Sequence, residues 1–207
     1  RSEDPRRKTP FTVVAVKRPK DGRVVPLVSV AANRLARELI LPRLFPEATE
    51  IRSEVRRGAS RFDFLVTQGG VRTWVEVKSC TLEAEGVAMF PDAATARGRR
   101  HVEELTAIRE DRRLVLFVIQ GLRADRFVPD IHTDPAFSLA LARARDGGVD
   151  IRAATVSVDS AGNSEIDSLD VPVDLSPLRA VRADSGAYII QLEVPKATTV
   201  SVGALGK

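Results

Sequence analysis

The 207-residue sequence predicts an α/β (α+β) fold, a mixed β-sheet with helices packed on it, and three observations carry that prediction. Two alternating apolar runs, Arg61-Phe62-Asp63-Phe64-Leu65-Val66 and Trp74-Val75-Glu76-Val77-Lys78-Ser79, flank a short Gln68-Gly69-Gly70 turn, the pattern of a hairpin. A continuous apolar run from Leu114 to Ile119 has the length and composition of a strand buried on both faces. Segments with helical spacing lie before, between and after these strands.

Taken in order, residues 1 to 30 are basic and turn-rich. Pro19-Lys20-Asp21-Gly22-Arg23 separates two apolar runs, Phe11 to Val16 and Val24 to Val30, which fits a hairpin too short to be a domain. The segment starts without an initiator Met, so an N-terminal part is expected to be missing. From Ala31 to Leu41, Leu35, Leu39 and Ile40 recur at helical spacing, with Asn33 as a cap and Pro42 as the stop. After the hairpin at Asp63 and Glu76 comes a loop around Glu85-Gly86. Pro91 to Thr95 then leads into a helix running to about Glu110, with Arg97, His101 and Glu104 on one face. Beyond the buried strand, a helix from Pro135 to Ala144 closes at Gly147-Gly148, and Val149 to Val158 reads as a strand. Residues 159 to 184 turn polar and acidic, with Pro172 and Pro177, and read as a linker. Gly186 to Val194 then opens a new alternating strand. A strand that opens a domain so near the end implies truncation there too. There is no internal repeat.

Composition narrows the chemistry. At 43% hydrophobic content the chain has enough apolar side chain for a core, and no apolar run approaches the ~20 residues of a membrane span. The start, Arg1 to Lys8, lacks a signal peptide's apolar centre, so a cytoplasmic protein that does not engage membranes is expected. Cys80 is the only cysteine, and His101 and His132 are far apart, which leaves neither a disulfide framework nor a Cys/His zinc site. Any metal must be held mainly by oxygen, which points to Mg²⁺ or Mn²⁺ and away from zinc. The net charge is +4, and the first 24 residues hold eight Lys or Arg against Glu3, Asp4 and Asp21. Arg6, Arg7 and Lys8, with Arg34, Arg99 and Arg100, are candidate contacts to nucleic-acid phosphates; basic loops that merely keep the protein in solution are the equal alternative. Aromatics at 5% do not suggest a stacking platform for single strands.

The hairpin carries the sharpest chemistry. Alternation puts Glu76 and Lys78 on one side of their strand and Val75 and Val77 on the other, and pairing brings Asp63 beside them. Two carboxylates and an ammonium at one sheet edge can hold a hard divalent cation and position water for attack on a phosphodiester, a nuclease-like signature. A bare Glu-x-Lys on an exposed strand is, by itself, more often solvated surface.

Asn33-Arg34-Leu35, Glu54-Val55, Arg61-Phe62-Asp63-Phe64, Val75-Glu76-Val77-Lys78-Ser79, Phe90-Pro91-Asp92-Ala93, Thr95, Arg97-Gly98 and His101 to Leu105 follow one another along the chain. This succession, spanning residues 10 to 176, resembles the sugar fermentation stimulation protein A family. The resemblance implies a PD-(D/E)XK nuclease-like domain over 31-176. Residues 1-30 are then the remnant of an OB-like barrel whose earlier His-Cys-Pro-Asn-Thr-Gly-like run is absent. Residues 177-207 become a linker and the truncated start of a domain that, through Gly186-Ala187-Tyr188 and Val202 to Gly206, resembles GIY-YIG domains. It further implies DNA, double-stranded rather than single-stranded, as partner, with RNA and homodimerisation left open. On this resemblance Asp63 and Glu76 are the metal carboxylates and Lys78 orients or deprotonates water. Glu38 is a further acid of the cluster, and Arg97 and His101 reach the scissile phosphate. Glu54 sits on a strand of unknown register, and Ser79 and Thr95 are supporting hydroxyls. The rival function is a non-catalytic DNA-binding regulator that keeps the nuclease fold.

Overall fold

The computed structural model describes residues 11, 13–28, 30–58 and 60–176, and the backbone of 179–182, 188–194 and 198–201. Arg6, Arg7, Lys8, Gly186, Ala187 and the 202–206 segment lie outside the described residues.

The expected first hairpin is present in shorter form, β1 (Ala15–Lys17) paired antiparallel with β2 (Val24–Pro26). It docks on the main body where β2 crosses Gly121: a Cβ there would lie 1.9 Å from the Val24 carbonyl oxygen, so only glycine admits the approach. The next helical run is longer than Pro42 as a stop predicts. Helix α1 (Val30–Leu35) passes through a π-helical turn, Ala36–Ile40, into α2 (Leu41–Leu44). The wide turn places Pro42 at the start of a new helix, where its missing N–H costs nothing. Asn33 is inside α1 and not at its cap.

Strands β3 (Ala48–Arg57), β4 (Ser60–Gln68) and β5 (Val71–Cys80) follow as an antiparallel meander. The β4–β5 turn is Gly69-Gly70, both with positive φ, 56° and 77°, as a two-residue hairpin turn of this hand requires. A small sheet then forms from β6 (Leu82–Ala84), β7 (Val87–Phe90) and, later in the chain, β9 (Arg126–Pro129). Helix α3 (Ala96–Ala107) ends a turn earlier than Glu110 and leads to β8 (Arg112–Gln120). Helix α4 (Pro135–Asp146) leads to β10 (Asp150–Val158) and then β11 (Ser164–Val171). The central sheet has the order β11-β10-β8-β5-β4-β3, with β5, β8 and β10 parallel and the remaining pairs antiparallel.

Strand β11 corrects the linker reading of 159 to 184. It is polar because it is an edge strand with alternate residues in solvent. In contrast, β8 is buried on both faces as its apolar run predicts. Leu114, Leu116 and Val118 enter a core with Leu35, Ile40 and Leu41 from the α1–α2 run. Val115, Phe117 and Ile119 enter the other core, with Val102 and Leu105 of α3 and Phe137 and Leu141 of α4. Three further strands, β12 (Arg179–Arg182), β13 (Tyr188–Val194) and β14 (Thr198–Ser201), form an antiparallel sheet. No helix among the described residues is long and apolar enough to cross a membrane.

Candidate active site

Strands β4 and β5 pair only as far as Phe64↔Val75, and the site lies where they part. Asp63 is the first β4 residue past the last pair. Its Oδ2 accepts the Val77 N–H at 2.7 Å, so a side chain replaces the lost ladder bond. Its Oδ1 accepts from Asn33 Nδ2 at 2.7 Å, which ties α1 to the fork. The helical spacing predicts Asn33 as a cap, but its side-chain partner is 30 residues away.

Alternation holds on β5. Val75 and Val77 enter the α1-side core, while Glu76 and Lys78 face the cleft beneath α3. Glu76 is 3% exposed. Its Oε1 sits 2.7 Å from Lys78 Nζ and 2.6 Å from His101 Nδ1, and its Oε2 is buried with no hydrogen-bond partner among the described residues. A buried carboxylate oxygen without a donor is costly unless something else occupies it. Burial pushes Glu76 up, but the His101 hydrogen bond and the Lys78 charge outweigh it and hold the carboxyl below its ordinary value. Asp63 moves the other way: burial, then the neighbouring Glu76 charge, raise it against the pull of the Val77 N–H, Asn33 and Lys78.

Helix α3 delivers His101 and Arg97. Thr95 caps it, its Oγ1 accepting the Gly98 N–H at 3.0 Å while its own N–H donates to Asp134 Oδ2 at 2.7 Å. Asp134 also caps α4 through the Phe137 N–H, so one carboxylate fixes both helix starts. The His101 ring stands edge-on to Phe62, which itself packs against Trp74. Arg97 is exposed at the rim of the cleft, without an ion-pair partner among the described residues.

The cleft encloses about 460 Å³ and brings Asp63, Glu76, Lys78, His101 and Arg97 together, with Ser79 in its wall. It adds Asn33, Glu54, Arg61 and Asp92, none of which the hairpin spacing alone could place. Glu38 is not among them. It is exposed on the π-helical turn and faces Arg34 at 3.9 Å, because the wide turn and the helical phase direct it to solvent. Glu104 also leaves the group and pairs with Arg100 at 3.8 Å, while Arg99 pairs with Glu103 at 3.8 Å. Arg34, Arg99 and Arg100 are thus exposed partners of i, i+4 pairs, interactions of about 0.3–0.5 kcal/mol that exchange readily. Among the described residues no three His, Cys, Asp or Glu side chains cluster as a ready-made metal cage. Of the four carboxylates that line the cleft, Asp63 and Glu76 are electrostatic neighbours at the fork, an oxygen set suited to a hard cation that completes its shell with water and phosphate. The orphaned Glu76 Oε2 fits such an ion.

The family model described as "Sugar fermentation stimulation protein RE domain" matches residues 30–162. A sugar fermentation stimulation protein homolog from Thermotoga petrophila is 44% identical over 160 residues, which cover 77% of this chain and 69% of the relative. A homolog from Chloroflexus aurantiacus is 42% identical over 162 residues, 75% of this chain and 61% of its own length. The solved structure of Pyrococcus furiosus SfsA in complex with Ca²⁺ superposes with a TM-score of 0.71 at 26% identity, covering 78% of this chain and 71% of that one.

Proposed function

The chain belongs to the sugar fermentation stimulation protein family, and from that premise we propose that its cleft is a metal-dependent nuclease site of PD-(D/E)XK type that hydrolyses phosphodiesters in DNA. The observation that carries the reading is the convergence of Asp63, Glu76 and Lys78 at the β4–β5 fork, with Glu76 Oε2 buried and unpartnered. That the Pyrococcus relative was solved with Ca²⁺, another oxygen-seeking cation, supports the same site chemistry here.

Asp63 and Glu76 would hold Mg²⁺ or Mn²⁺, which when bound supplies a Lewis acid that lowers the pKa of water and neutralises phosphate charge. The residues themselves do the rest. Asn33 and the Val77 N–H fix the Asp63 carboxylate, and His101 fixes Glu76. Lys78, held by Glu76 with its side chain 11% exposed, presents a nearly desolvated ammonium that orients water and stabilises charge growing on the phosphate oxygens. Arg97 at the rim attracts the DNA backbone, as does basic charge outside the described residues. The short β1–β2 hairpin precedes this unit in the chain and the strands β12, β13 and β14 follow it. We read them as the OB-like remnant and the start of an appended GIY-YIG-like domain.

The test is incubation with supercoiled, linear and single-stranded DNA and with RNA, in Mg²⁺, Mn²⁺ or chelator, alongside Glu76→Gln and Lys78→Ala. Metal-dependent cutting of duplex DNA, lost in both variants, is expected. Binding that both variants retain, with no cutting in any metal, would overturn the enzyme reading in favour of a regulatory DNA-binding protein.

A further inference from the structure

Glu54 occupies the middle of β3 with φ of 58°, the left-handed region, which is costly for a residue with a Cβ. The β3–β4 ladder runs from Ser53↔Phe64 to Val55↔Phe62 and passes over Glu54. The break therefore falls opposite Asp63. Glu54 lines the cleft, and its Oε2 lies 2.6 Å from Nε of Arg61, another lining residue. Arg97, which lines the same cleft, has no ion-pair partner among the described residues. The lip thus carries two arginines, one open and one held.

Arg61 pairs directly with Arg56, a like-charge neighbour that Glu54 offsets. A regular strand would already place Glu54 on the face of Arg56 and diagonal to Arg61, so that task needs no left-handed residue. The left-handed residue falls at the β3 position opposite Asp63, whose carboxylate bonds the Val77 N–H, and Glu54 lines the cleft beside it.

We infer that Glu54 is a built-in phosphate mimic that occupies Arg61 until a backbone phosphate of nucleic acid displaces it. The inference rests on the reading of the cleft as a phosphodiester site. The two side chains are 51% and 54% exposed, so their pair is weak and exchanges without a large barrier. A lone anion must outcompete Glu54 at a single arginine. A polyanion that simultaneously meets Arg97 and Lys78 presents its next phosphate at high effective concentration and displaces Glu54 readily. Glu54 therefore selects for polymeric phosphate over free anions.

Binding of a labelled DNA duplex in chelator, at fixed salt, tests this with Glu54→Gln, Arg61→Gln, the double variant, and Glu50→Gln as an exposed-carboxylate control on the same strand. Glu54→Gln is expected to tighten binding about 2- to 5-fold, the span of a half-exposed ion pair, and the gain should vanish in the double variant. An equal gain in Glu50→Gln, or one that survives Arg61→Gln, overturns the inference, since net charge alone then explains it. A lowered melting temperature with unchanged binding overturns it as well, leaving Glu54 as a cross-strand buttress. In parallel, the Arg61 Nε–H resonance is followed against inorganic phosphate: it should shift at lower phosphate in Glu54→Gln than in the parent, and identical titrations overturn the inference. If the parent binds no nucleic acid, the nuclease reading fails, and the phosphate titration still decides the role of Glu54.

Discussion

Glu76, on β5, and Asp111, which lies just before β8 and is bound by side chains from the start of β5, are hidden carboxylates beside cavities of about 460 Å³ and about 430 Å³, and they use their oxygens differently. Asp111 is fully engaged. Its Oδ1 accepts from Arg72 Nε at 3.0 Å and its Oδ2 from Trp74 Nε1 at 2.8 Å, while Arg57 covers the Trp74 ring. Glu76 spends both its cation and its histidine on one oxygen and leaves the other bare. Their side chains are equally hidden, 7% and 4% exposed, so burial does not separate them. Satisfaction does: a carboxylate with both oxygens paired closes a structure, and one with a buried bare oxygen is open to a ligand.

Exchanging the two carboxylates tests that contrast most severely. Glu76→Gln should abolish the heat of Mn²⁺ binding in calorimetry and lower DNA cleavage by ~10²-fold or more. Asp111→Asn should leave the Mn²⁺ titration unchanged and cost about 1–3 kcal/mol in urea unfolding, because one donor of Arg72 or Trp74 loses its acceptor. Mn²⁺ binding lost in Asp111→Asn, or kept in Glu76→Gln, would break the distinction.

A smaller effect is expected one step out. Asn33→Ala removes the donor to Asp63 Oδ1 and should weaken Mn²⁺ binding about 10-fold, as for the partners that orient metal ligands in general. The stability cost should stay near 1 kcal/mol. Equal Mn²⁺ affinity in the variant and its parent would reduce Asn33 to a clip between α1 and the sheet.

The two acids also predict opposite responses to pH. Asp63 is held above its ordinary range by burial and by Glu76, so the folded state grips its proton more tightly. That contribution to stability is full below the ordinary carboxylate range and is lost as pH rises through the raised value. Glu76 is held below its range once His101 and Lys78 outweigh burial. Its contribution is present above the ordinary range and is lost as pH falls through the lowered value. Urea unfolding across acid to neutral pH should therefore show Asp63→Asn gaining on the parent as pH climbs. Glu76→Gln should fall furthest behind at neutral pH and close the gap in acid. A constant difference for Asp63→Asn at every pH would mean that Asp63 titrates in its ordinary range.

How much of this was legible in the sequence follows from which interactions are local. The Gly69-Gly70 hairpin, the doubly buried β8 and the shared face of Glu76 and Lys78 are set by spacing along one or two strands, and they stand in the structure as read. Strand β11 escaped notice because an edge strand shows solvent a polar side, and β6, β7 and β9 because three or four residues are too few for a period. Asn33 and Glu54 owe their places to a contact 30 residues away and to one left-handed dihedral, neither of which leaves a pattern in sequence.

Glu38 supplies the smallest and most discriminating expectation. In sequence it is an acid on the helix ahead of the sheet, where a third carboxylate would be sought. Spacing could not show that the helix widens at Ala36–Ile40, and the widened turn presents Glu38 to solvent beside Arg34. An exposed pair at 3.9 Å contributes a few tenths of a kcal/mol at most. Glu38→Gln should therefore change stability by less than about 0.5 kcal/mol and leave both the Mn²⁺ titration and cleavage within about 2-fold of the parent. A 10-fold or larger loss of Mn²⁺ affinity would mean that the α1–α2 run reshapes on cation binding to bring a third carboxylate to the β4–β5 fork. The bare oxygen of Glu76 would then mark a ligand set still to be completed by the protein, and not one completed by water and phosphate.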